Sequence, residues 1–437
     1  MQIDKTTLQD LSIFHHDEEQ SVFHHLNCTQ TNGGREYLKH ILGKPLKKLD
    51  EINDTQLLIK QLINVSNNWP ITITNGTIMV IERYFDTQIS LYPSQPTLIS
   101  SYYYRFVNPG DYSITKYSVE HICSFFKGFY EIIQLINNAQ SNQLQTWLQR
   151  INILLQHSFV KEILQHNNIK KLSPTEVLYF GNYLRFHFQN QLNELIDIYY
   201  RLDAYLSLAK SSVIYNFSFP EIINSNQPHI KAKALYHLQL RTPVAYDINL
   251  NQTENFLFLT GANMAGKSTF IKATGIAVYL AHIGMSVPAQ QMQLSLFDGL
   301  LSNIHVFDNI LKGESYFFNE VQRIKKTVDK INDGKKWLIL IDELFKGTNV
   351  QDAMKCSTTV IEGLRKMKNA LFILSTHLYE IGDALKQYNN IQFKYFETNI
   401  KDDELEFSYQ LKEGISNDRL GYLILKKEGV VDMLEKL

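Results

Sequence analysis

Asn255–Thr269, NFLFLTGANMAGKST, sets the fold class of the chain's second half. It begins with a continuous apolar run bounded by polar residues, the pattern of a strand buried on both faces of a parallel sheet. Gly261-Ala262-Asn263-Met264-Ala265-Gly266-Lys267-Ser268 then fits the G-x-x-x-x-G-K-[ST] phosphate loop, and a helical run extends from Thr269 to about Ala281. The glycines let backbone N–H groups converge on phosphates, and the helix N-terminus adds its positive end. Lys267 is placed to bridge the β- and γ-phosphates, and the Ser268 hydroxyl to ligate Mg²⁺. Strand, loop and helix in this order make ATP and Mg²⁺ the expected ligands, with Gly261 to Thr269 as the cradle.

Downstream, Trp337–Ile341 (WLILI) and Ala370–Leu374 (ALFIL) are two more continuous apolar runs, and Phe317, Val321, Ile324, Val328 and Ile331 mark an amphipathic helix before them. Strand–helix alternation of this kind predicts a doubly wound α/β domain. Asp342-Glu343 closes the first of these runs. A carboxylate there can hold the Mg²⁺ shell, and the neighbouring glutamate can polarise an attacking water as general base. An apolar run ending in two acids is also a common helix cap; the spacing after the phosphate loop favours the Walker B reading. Ser375-Thr376-His377 closes the next run, where His377 either supports the strand end or senses the γ-phosphate. Ser315, ahead of the amphipathic helix, is a natural N-cap and equally an anion contact.

The first half reads as helical. Ile122, Phe125, Phe129, Ile132 and Ile136 recur at helical spacing. Ser173-Pro174-Thr175-Glu176 is a capping box that starts a helix expected to continue to about Lys210, with Gly181 as its weak point. The stretch from Asn68 to Tyr117, broken by Pro70, Pro93, Pro96 and Pro109-Gly110, is expected to be loops with short elements. A second break from Phe219-Pro220 to Gln227-Pro228 divides the chain into a helical domain, 1–225, and an α/β domain, 226–437.

Composition narrows the function classes. The 437 residues include 43 basic and 44 acidic side chains, so no global field attracts nucleic acid. The 3 cysteines are far apart, which argues against disulfides or a zinc site and fits a reducing cytoplasm. No apolar run approaches a membrane span, and no membrane partner is expected.

Together the motifs resemble the MutS family of DNA mismatch-repair ATPases. TGANMAGKST resembles the family's TGPNMGGKST; GMSVPA at 284–289, Asp308-Asn309 with Gly313-Glu314-Ser315-Tyr316-Phe317 and Glu320, DELFKGTN at 342–349 and Thr376-His377 resemble its later signatures. TNGGREYL at 31–38 resembles the opening of its core more weakly. The resemblance implies a helical core and lever followed by an ABC-like P-loop ATPase domain with a mostly parallel sheet. It further implies an Mg²⁺-dependent ATPase, working as a homodimer whose composite sites take Ser315 from the partner copy, and a nucleotide-controlled switch acting on duplex or branched DNA. Other repair or scaffold proteins are expected partners. The family's mismatch-reading, connector and clamp segments find no counterpart, so mismatch specificity is not expected. The alternative is a nucleotide-gated scaffold for protein partners without DNA.

Overall fold

The computed structural model describes residues 1–93, 95–136, 138–166, 171–304, 316–401, 404–416 and 430–435. The chain forms two compact units. One gathers Met1–His25, Lys44–Asn53 and Tyr215–Leu437; the other holds Leu26–Gly43 and Asp54–Ile214. Among the described residues no helix is long and apolar enough to cross a membrane.

The first unit is built on two sheets. Strands β1 (Glu221–Ile223), β2 (His229–Leu235), β3 (Tyr246–Asn251), β4 (Phe256–Thr260), β5 (Gln291–Ser295), β6 (Gly299–Asn303), β7 (Trp337–Asp342), β8 (Ala370–Ser375), β9 (Ile391–Lys401) and β10 (Glu404–Glu413) run in chain order. The smaller sheet has the order β1-β5-β2-β3 and the larger β10-β9-β4-β8-β7-β6. In the larger sheet only the β9–β10 pair is antiparallel. The three apolar runs become β4, β7 and β8, neighbours at the centre, and every residue of each is buried. That double-sided burial explains why they alternate so little in polarity.

The first 25 residues belong with this unit, although the sequence boundary assigned everything up to 225 to the helical domain. Gln2 bridges Gly299 in parallel and so lengthens the edge beside β6. The Thr7 hydroxyl accepts the Ser302 N–H at 3.0 Å. Asp10, buried, accepts from Ser302 Oγ at 2.5 Å, from the Ile304 N–H at 3.1 Å and from Arg323 Nη2 at 3.0 Å. An edge strand with unpaired backbone groups is what this segment satisfies.

The helical unit contains Asn75–Asp86, Leu98–Val107, Pro109–Leu135, Asn142–Leu155, Ser158–Gln165, Pro174–Phe186 and Gln189–Ile214 among its helices. Two expectations change here. The proline-bearing stretch from 68 to 117 is largely helical, because its prolines fall at boundaries: Pro109 occupies the first turn of a 27-residue helix. The expected single helix from 173 to 210 is two. The break comes at His187-Phe188, where both N–H groups donate to the Tyr183 carbonyl at 2.9 and 3.1 Å. Phe188 turns inward against Phe126, His157 and Phe159, and burying that ring outweighs helix continuity. Gly181 stays helical; a Cβ there would sit 2.4 Å from Thr115 Cγ2, so its role is close packing.

Candidate active site

The carboxyl ends of β4, β8 and β7 lie side by side, so the segments that leave these strands share one crevice. After β4 comes the phosphate loop. Gly261 and Gly266 have φ of 135° and 112°, left-handed values that a side chain would strain. The next helix, Lys267–Ile283, points its N-terminus into the crevice.

Lys267 is buried, and its ammonium donates to the Gly261 and Ala262 carbonyls at 2.8 and 2.9 Å. Burial lowers its pKa to about 8, against the pull of Glu343 and Asp342. The Ser268 hydroxyl donates to Asp342 Oδ2 at 2.5 Å, while Ser375 Oγ donates to the other carboxylate oxygen. Asp342 and Ser375 are register partners across β7 and β8, which fixes that second contact. The donor set suits Mg²⁺: a hydroxyl and a carboxylate oxygen converge beside the phosphate loop. Among the described residues no three His, Cys, Asp or Glu side chains form a metal cage. A P-loop Mg²⁺ needs none, since water and phosphate oxygens supply most of its shell.

Glu343 is held from two sides. His377 Nε2 lies 2.9 Å from Oε1 and Lys346 Nζ 2.7 Å from Oε2. Burial resists ionisation of this carboxyl, but the hydrogen bonds and charge of His377 and Lys346 prevail and bring its pKa to about 2. His377 Nε2 is also 3.4 Å from Lys267 Nζ. One ring nitrogen therefore stands between the candidate base and Lys267. A proton on Nε2 serves Glu343, leaving the lysine contact electrostatic. Of the seven non-glycine residues with positive φ among the described residues, Met264, Glu343, Phe345 and Tyr409 border this site. Such concentration of backbone strain is characteristic of functional sites.

Beside the phosphate loop opens a cavity of about 430 Å³, lined by Leu240, Val244, Tyr246 and Tyr409 as well as by Asn263 and Lys267. Its apolar and aromatic wall is of the kind that accepts a flat base.

The fold thus brings Lys267, Ser268, Asp342, Glu343 and His377 together. Thr269 and Asn263 line the same cavity, with Met264 exposed above it. Ala262 and Ala265 are buried within the loop. Ser315 lies outside the described residues. Three contributors were quoted within motifs in the sequence but given no role there. Lys346 pairs with Glu343; its signal was a base three residues along the same motif. Ser375 fixes Asp342. Glu320, already in the family signature, accepts from the Lys346 and Gly347 N–H groups at 3.3 and 3.4 Å and so holds the turn that presents Lys346.

Comparison with known proteins agrees with this geometry. Residues 6–312 match MutS domain III and residues 257–434 match MutS domain V. The DNA mismatch repair protein MutS of Petrotoga mobilis is 28% identical over 257 residues, covering 56% of this chain and 30% of that protein. MutS of Pseudothermotoga lettingae is 29% identical over 234 residues, 52% of this chain and 28% of its own length. The DNA mismatch repair protein MSH3 of Candida glabrata is 30% identical over 259 residues, 56% of this chain and 24% of its own. The chain therefore aligns with less than a third of the length of these curated relatives.

Proposed function

Since this chain belongs to the MutS family, we propose that it binds ATP with Mg²⁺, hydrolyses it, and acts as a dimeric nucleotide-controlled switch on DNA without mismatch specificity of its own. The observation that carries the ATPase reading is the convergence of Lys267, Ser268-Asp342 and Glu343-His377 at three adjacent strand ends.

In this reading the loop backbone from Gly261 to Thr269 and Lys267 hold the phosphates, and Leu240, Val244, Tyr246 and Tyr409 receive the base. Ser268 and Asp342 would hold the Mg²⁺, which would supply neutralisation of charge on the phosphate oxygens. Glu343 orients the attacking water and His377 keeps Glu343 aimed. Because Glu343 is paired on both oxygens and its pKa is held at about 2, it is a weak base for a water as long as Lys346 stays in place. Turnover is slow for that reason, as befits a switch. Ser315 from the partner copy completes the composite site, the helical unit serves as core and lever, and the protein works in the cytoplasm.

The test is steady-state ATP hydrolysis at low salt with no DNA, plain duplex, mismatched duplex and a four-way junction, with Lys267→Ala as the blank. A several-fold, salt-dependent change with one DNA form supports the DNA reading. Hydrolysis indifferent to every form moves the function to protein partners, and no hydrolysis above the blank removes the ATPase.

A further inference from the structure

The helical unit exposes an apolar surface that the nucleotide chemistry does not use. On the Leu98–Val107 helix, Leu98, Ile99, Tyr102, Tyr103, Phe106 and Val107 all face outward, with Ile99 86% and Phe106 85% exposed. The opposite face is anchored: Ser101 and Tyr104 are buried, and the Tyr104 hydroxyl donates to the Ser90 carbonyl at 2.9 Å. Thr97 and Ser100 form a capping box at the helix start. The outward orientation is therefore fixed by the fold. We propose that this face is a self-association surface, on which a second copy of the chain docks through the same helix.

Area and charge support that occupant. At the size typical of aromatic and aliphatic side chains, the six residues expose on the order of 900 Å², about what one partner contributes to a standard interface. A monomer's largest apolar patch is usually smaller, roughly 300–600 Å². From Thr87 to Gly110 the chain has no carboxylate and a single cation, Arg105, whose guanidinium lies 5.3 Å over the Tyr112 ring. One cation is too few to track a phosphate backbone or to favour an anionic lipid surface. Nor does the patch carry the charge pattern by which unlike proteins select each other. A surface whose one cation rests over the Tyr112 ring meets its own copy across a twofold axis with little like-charge repulsion. Tyr, Phe and Arg are also the residues enriched at interface centres.

The test is sedimentation equilibrium of the full chain, with and without ATP, over a range of concentrations. It compares wild type, Ile99→Ser/Phe106→Ser and Lys267→Ala. The expected result is a self-association constant weakened about tenfold or more by the double substitution and untouched by Lys267→Ala, with ATP turnover at high dilution unchanged. In a second arm, Tyr103→Cys should give disulfide-linked dimers under mild oxidation, whereas Ile153→Cys, similarly exposed on another helix, should not. Identical association of wild type and double variant at every concentration overturns the proposal, as does equal cross-linking at 103 and 153. Dimers that require ATP and vanish only in Lys267→Ala also overturn it while leaving the composite-site reading intact.

Discussion

Asp10 offers the sharpest test of how the nucleotide unit is assembled. Its carboxylate is 2% exposed and the Arg323 side chain 20% exposed. The same carboxylate accepts from Ser302 Oγ and the Ile304 N–H, on and just beyond β6. Asp10→Ala removes the acceptor from all three donors and leaves a largely buried cation without this carboxylate, a situation that costs about 3–5 kcal/mol. Asp10→Asn keeps an acceptor for the hydroxyl and the N–H but loses the charge, and about 2 kcal/mol is expected. The assay is urea unfolding followed by the fluorescence of Trp337, the only tryptophan of this unit, with Trp69 and Trp147 replaced by Phe. With a slope of about 2–3 kcal/mol per molar urea, Asp10→Ala should lower the midpoint by roughly 1–2 M. Arg323→Met in the same chain should recover part of the loss, since removing both partners is less costly than removing one. A midpoint shift no larger than that of an ordinary surface alanine, about 0.5 kcal/mol, refutes the assignment of the N-terminal segment to this unit.

Glu343→Gln should abolish hydrolysis and retain ATP binding, measured by turnover and by equilibrium binding of a fluorescent nucleotide; unchanged turnover removes Glu343 from the mechanism. Lys346→Ala should raise turnover by removing a charge that depresses the basicity of Glu343, and a fall in turnover would mean that the lysine assists the reaction itself. With its pKa near 2, Glu343 should give no acidic limb in the pH–rate profile between pH 4 and 6; a limb there that shifts in the still active Lys346→Ala refutes the double ion pair. Lys267 has a folded pKa, about 8, below its unfolded value of 10.5. Its burial therefore destabilises the nucleotide-free protein most below pH 8, and this cost fades as pH rises from 8 to 10.5. The stability advantage of Lys267→Met over wild type should shrink across that window, and an advantage independent of pH would contradict the assigned cause.

What was legible in the sequence was whatever depends on neighbours in the chain. The three central strands could be read because double-sided burial leaves a continuous apolar run, and the phosphate loop because its glycines serve a local backbone need. The attachment of Met1–His25 to β6 was not legible. Gln2 and Gly299 are far apart in sequence, and nothing in the first 25 residues states which sheet edge they will cover. The break at His187-Phe188 carries no proline or glycine; it comes from where Phe188 finds aromatic partners. The helices on either side of Pro93 and Pro96 and the one that opens at Pro109 were missed because proline reads, without context, as a breaker, whether it sits in a connection or in a first turn. Ser375 and Glu320 act through strand register and a turn, and neither is visible as a spacing.

The contacts around Glu343 bear on how the proposed switch would rest. Lys267 is satisfied by the loop's own carbonyls, and Glu343 by His377 and Lys346. Ser268 and Asp342 satisfy each other. Every group assigned to the reaction is thus occupied by another group of the same site. Nucleotide must then compete with these internal bonds, and each exchange is nearly balanced in energy, because one hydrogen bond replaces another. Near balance is what allows a small input, such as a partner copy or a bound polymer, to decide whether Glu343 is released. Lys346→Ala separates the two ideas that this involves. If release of Glu343 limits turnover, the variant should hydrolyse ATP faster and respond less to DNA or to a second copy, having lost the contact through which they would act. Faster turnover with the full response retained would place the control elsewhere, and the region around Ser315 would become the next site to perturb.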